Sequence, residues 1–136
     1  MLTLYGLAGS GSAAVQIALQ SCAVPCNAAN CYAAIGVIDD PERWCVEGDE
    51  AQLDRIREGA RRRLHVCWTV FADQLGAGLC KAGDEPGALD FLAVVVSRWS
   101  GARAHLAAHR PAVAATLERI QSHPKVAPVW ARHWPN

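Results

Sequence analysis

Residues 86–109, PGALDFLAVVVSRWSGARAHLAAH, constrain the fold of this chain more than any other stretch. Leu89, Leu92, Ala93, Val96 and Trp99 recur at three- and four-residue spacing, while Asp90, Ser97 and Arg98 fall largely elsewhere. That is the pattern of a helix packed on most of its circumference, so the segment is expected to be one central helix running to His109. Its start is written in the sequence. Pro86 cannot continue a preceding helix, Gly87 can serve as N-cap, and Asp90 then occupies the third helical position, near the positive end of the dipole. This is a capping box with one half weakened, because Gly87 has no side chain to return a bond.

The other elements are placed by similar signals. Asp49 with Gln52 forms a capping box, after which Leu53, Ile56, Ala60, Leu64, Cys67, Trp68, Phe71 and Leu75 keep helical spacing, with Arg55, Arg57, Glu58 and Arg62 largely on the other side. A long amphipathic helix follows, broken at Gly76, Gly78 and Gly83. Pro111 suits a first helical position. Val113, Leu117 and Ile120 form the stripe of that next helix, and Ser122-His123-Pro124 ends it. Val126, Val129 and Trp130 supply a last short amphipathic turn. Upstream, residues 2–6 read as a short strand, residues 6–11 as a turn, and residues 13–19 as a helix that Pro25 stops. Asp39-Asp40-Pro41 marks a helix start or a turn.

These residues carry a resemblance. The run GALDFLAVVVSRW resembles the buried core helix of the all-helical C-terminal domain of soluble glutathione transferases, which usually opens with a Ser/Thr-x-x-Asp box; Asp90 matches and Gly87 does not. The final stretch RPAVAATLERIQSHPKVAPVWARHWPN is similar to the last two helices of bacterial members, and MLTLYGLAGSGSAAVQIAL looks like their first strand, loop and helix. The resemblance implies a mainly α fold: a helical bundle over residues 26–136, preceded by residues 1–25 as a truncated, strand-helix remnant of a thioredoxin-like domain. It also exposes a gap. A single βαβ unit needs about 30 residues, yet Asn27-Ala28-Ala29-Asn30-Cys31-Tyr32 already resembles the end of the bundle's first long helix. The cis-proline and the Glu-Ser pair that hold glutathione in the family have no counterpart between Pro25 and Cys31.

The resemblance implies a chemistry for Ser10. In serine-type transferases a hydroxyl at the end of this loop hydrogen-bonds the sulfur of glutathione, the co-substrate, and favours the thiolate. Ser10, Gly11 and Ser12 are then the expected glutathione contacts, with Ser12 the spare candidate for the catalytic hydroxyl. A helix cap needs only a hydroxyl at a helix start, so capping explains Ser10 equally well. The strand position explains Tyr5 without a thiolate-activating role. Trp68, Trp99 and Trp130 at helical spacing are either core or, as in the family, the lining of a hydrophobic substrate pocket, for which Trp68 and Trp99 are the candidates.

Metal chemistry is not indicated. His105 and His109 stand four apart on one helix face, but no third ligand accompanies them in sequence, and tetrahedral zinc needs at least three from the protein. The six cysteines include no CxxC pair and read as small core fillers in a reducing compartment. Thirteen basic residues balance thirteen acidic ones, so no nucleic-acid surface is implied, and the triplet Arg61-Arg62-Arg63 reads as a solvated helix face. No segment approaches the roughly 20 apolar residues that span a bilayer, and the first residues lack a signal-peptide layout, so a cytoplasmic location is expected. A bundle without its neighbouring domain is expected to expose apolar surface and to self-associate as a homodimer. Two functions follow: conjugation of glutathione's thiol to a small electrophile, weakened or lost with the missing site, or a non-catalytic helical dimerisation or interaction module.

Overall fold

The computed structural model describes residues 34–45, 47–80 and 85–135, and these are mainly helical, with no strand among them. The expected N-terminal strand, turn and helix, with Ser10, Gly11 and Ser12, lie outside the described residues. Residues 34–39 are helical and lead into a single 3-10 turn, Pro41–Trp44, whose Pro41 is buried. Helix α1 spans Glu50–Leu75, α2 Ala88–Val96, α3 Ala102–His109, α4 Pro111–Gln121 and α5 Ala127–His133. None of the described helices is long and apolar enough to cross a membrane.

Helix α1 begins as its sequence dictates. The Asp49 carboxylate accepts from the Gln52 backbone N–H at 2.8 Å, while the Gln52 side-chain oxygen accepts from the Asp49 N–H at 3.1 Å. Two orphan donors are thereby satisfied reciprocally. Arg57 bonds Glu50 and Asp54, Arg61 bonds Glu58, and Arg62 and Arg63 face solvent, so the basic triplet is mostly a solvated face. Opposite them Leu64, Trp68 and Ala72 are buried. The helix ends at Gly76, the first residue of a short 3-10 turn, Gly76–Gly78.

The segment expected to form one central helix is two helices. Five consecutive residues of α2, Leu92 to Val96, are buried, so this helix is enclosed on nearly all sides as its composition requires. The chain then turns: the amides of Ser97, Arg98 and Trp99 bond back to Ala93, Val95 and Val96, and Ser100 and Gly101 adopt the left-handed conformation, with φ of 52° and 80°. A left-handed pair cannot continue a right-handed helix, and a glycine meets its second position without a Cβ clash. Helix α3 restarts at Ala102.

Helix α4 packs on α2 and α3, and α3 packs on α1. Leu64 of α1, Val94 of α2, Leu106 of α3, and Leu117 and Ile120 of α4 are the largest fully buried apolar side chains of one continuous core. Gly76 lets α4 approach the end of α1. A Cβ there would stand 2.7 Å from the Val113 side chain.

Candidate functional site

Three polar constellations sit at the joints of the bundle. The first is the entry to α2. Asp90, only 6% exposed, accepts from the Gly87 N–H at 2.7 Å through one carboxylate oxygen and from the Cys80 N–H at 2.9 Å through the other. The Gly87 half of the box is empty, as glycine requires, so the aspartate alone closes the N-terminus. Its second bond is long-range: it ties the turn after α1 to the start of α2, which the local spacing of Gly87 and Asp90 did not foretell.

The second lies at the exit of the same helix. Arg103, from α3, donates from Nε to Ser97 Oγ at 2.6 Å, from one terminal nitrogen to the Val94 carbonyl at 3.0 Å, and from the other to Gln121 Oε1 at 3.3 Å. Ser97, fully buried, donates in turn to the Val94 carbonyl at 3.2 Å. A cation placed on the last carbonyls of a helix satisfies orphan acceptors and complements the dipole. Burial lowers the Arg103 pKa, partly opposed by Glu118. Sequence reading missed this residue because its partners come from α2 and α4.

The third joins α1 to α3. The His65 and His105 rings stack with centroids 4.4 Å apart and planes 11° from parallel, and His109 follows at 4.6 Å from His105. The structure therefore supplies the third histidine that His105 and His109 lacked in sequence, 40 positions before the first of them. His65 and His105 are stacked and His109 is tilted 45° to His105, and among the described residues no group of three or more histidine, cysteine or acidic side chains is arranged to hold a metal. Thr69 Oγ1 donates to the His65 carbonyl at 3.0 Å and lies 2.9 Å from His105 Nε2. With its one proton given to the carbonyl, the hydroxyl accepts from His105, which places that ring's proton on Nε2. His65 Nε2 is buried without a partner among the described residues. Desolvation pushes the His105 pKa down; His65, His109 and Arg110 push it the same way, and the His65 backbone partly opposes them.

Beside this row, Arg110 at the α3–α4 junction grips Asp73 of α1 through two bonds, 2.6 and 3.0 Å. These bonds hold the Asp73 carboxyl below the usual carboxylate range. Elsewhere Lys125 pairs with Glu85, linking the segment before α2 to that before α5, and Arg98 lies over the rings of Trp130 and Trp134, 5.6 and 5.3 Å from their centroids.

Of the residues expected to line a hydrophobic pocket, Trp68 is buried in the core, edge-on to Phe71 with centroids 5.2 Å apart, and its indole N–H has no partner among the described residues. Trp99 is half-buried against the same core, in the turn after α2. Cys45 and Cys67 are partly buried free thiols, and Cys80 is partly buried against the core. No family model, curated protein or solved structure matches this chain.

Proposed function

We propose that this chain is a glutathione transferase-like helical protein, whose ancestral reaction is conjugation of glutathione's thiol to an electrophile and whose activity is weak or lost. The observation that supports this reading is α2: an apolar helix enclosed on nearly all sides, opened at Gly87 by an aspartate at the third position whose carboxylate returns to the N-cap amide. This is the design that the sequence resemblance ascribes to the family's core helix. On this reading Ser10, or Ser12 in its place, activates the thiol, Ser10, Gly11 and Ser12 contact glutathione, and Trp68 and Trp99 belong to the hydrophobic side of the site.

Thiol activation acts only on a glutathione already held in place, and positioning contributes several kcal/mol to such reactions, so a hydroxyl without the rest of the site contributes almost nothing. Conjugation of an aromatic halide is therefore expected at about the uncatalysed rate, identical for the wild-type chain and Ser10→Ala, with no retention on immobilised glutathione. Saturable turnover with a millimolar or lower KM for glutathione, abolished by Ser10→Ala, would instead establish a working enzyme.

A second reading, a non-catalytic dimerisation or interaction module, is favoured by one surface. Val66 and Val70, one turn apart on α1, are 54% and 42% exposed. A pair of β-branched apolar side chains in water on one helix face suits a protein contact better than catalysis.

A further inference from the structure

The histidine row between α1 and α3 has no part in the reading above. We propose that His105, stacked on His65 and flanked by His109, is a pH-responsive catch that holds α3 on α1 while its imidazole is neutral and loosens it when that ring takes up a proton. Neutral rings stack without penalty, and one Nε2–H of His105 is satisfied by Thr69. A second proton on His105 would put a positive ring face to face with the His65 imidazole at 4.4 Å and within 4.6 Å of that of His109.

The surrounding charges do not relieve this. On α1, Arg61 and Arg62, a turn before His65, are engaged with Glu58, and Asp73 is held through both oxygens by Arg110. The α3–α4 junction contributes Arg110, a further positive charge acting on His105, and Glu118 of α4 acts on Arg103. Gly101 lies near His65, where a Cβ would stand 3.8 Å from Nε2. His105 is thus biased toward its neutral form, and its protonation is coupled to separation of the helices.

At the C-terminal end of α3 the Arg110–Asp73 pair persists in mild acid, because the Asp73 carboxyl is held below the usual range.

The sign of the pH dependence follows from the depressed ionisation of His105. The unfolded or opened chain binds the proton first, so the closed form is fully favoured above the ordinary histidine value of about 6.5. It loses ground as pH falls through that value, and levels off below the folded value.

Amide hydrogen exchange of the full chain at pH 7.5 and pH 5.2, corrected for intrinsic rates, tests this. We expect protection across α3 to be lower at pH 5.2 than at pH 7.5, with α4 unchanged, and His105→Gln, which keeps a donor toward Thr69, to abolish the difference. Equal protection of α3 at both pH values would overturn the proposal, as would an undiminished loss in His105→Gln. A proton NMR titration of the wild-type ring signals needs no variant: His105 titrating below the ordinary value supports the catch, and His105 titrating at or above it refutes the catch.

Discussion

At the scale of single residues, Asp90 and Arg103 close the two ends of α2, and each does so with bonds that a truncation would leave unmade. Asp90→Ala removes the acceptor of two backbone N–H groups in a part-buried setting, so a loss of about 2–3 kcal/mol is expected in urea unfolding, above the cost of an ordinary cap. Gly87→Ser should go the other way by a few tenths of a kcal/mol, since the glycine has φ −102° and a Cβ there meets only ordinary contact with Asp90 at 3.6 Å. Equal stability of Asp90→Ala and wild type would mean that α2 is held by its apolar surface alone. Arg103→Met keeps the stem but strips the donors from Val94, Ser97 and Gln121, for an expected loss of about 1–3 kcal/mol. Arg103→Lys should recover only part of it, because a single ammonium cannot reproduce the forked geometry. Full recovery in the lysine variant, measured by the same unfolding curves, would reduce the role of Arg103 to its charge.

At the scale of elements, the reading of residues 86–109 as one helix fails for an identifiable reason. Val96, Trp99, Ala102 and Leu106 keep three- and four-residue spacing straight through the break, because α2 and α3 both turn apolar residues toward the same core. Periodicity reports which side is buried, not whether the backbone is continuous. The break is marked only by Ser100-Gly101, a weak signal inside a strong pattern. By contrast the Asp49–Gln52 box and the Pro111 start were legible, since each is settled by residues within one turn. The junction of α1 with α4 offers a test of packing at this scale. Gly76→Ala forces a Cβ to within 2.7 Å of Val113, whose branched side chain has little freedom to retreat, and should cost about 1–3 kcal/mol. Adding Val113→Ala should relieve part of that cost, so that the double variant is more stable than the sum of the single losses predicts. Additive losses in thermal melts would show that α4 does not sit where Gly76 admits it.

At the scale of the whole molecule, the described helices close around one apolar core and leave Val66, Val70 and Trp44 in water, the last 66% exposed. If the chain serves as a dimerisation module, the Val66–Val70 face of α1 is where association belongs. A dimer in light scattering is expected, with Val66→Glu/Val70→Glu shifting it to monomer at unchanged helical content. A wild-type monomer at all concentrations, with no binding of a hydrophobic dye, would count against association and against the interaction reading together.

The helical class, the amphipathic course of α1, the enclosure of α2 and the caps at Asp49 and Asp90 were all readable from residue types and spacing, because each depends on partners within a turn or on the total apolar content of a segment. The Cys80–Asp90 bond, the Arg103 clamp, the Arg110–Asp73 pair and the row of His65, His105 and His109 were not. Their partners stand 10, 9, 37 and 36 positions apart for the bonds of Asp90 to Cys80, Arg103 to Val94, Arg110 to Asp73 and His105 to Thr69. No local pattern encodes which exposed-looking polar residue of one helix will meet another's. That pairing is settled by how the apolar faces pack: once Leu64 and Leu106 are buried in a common core, the positions next to them, His65 and His105, are carried into contact.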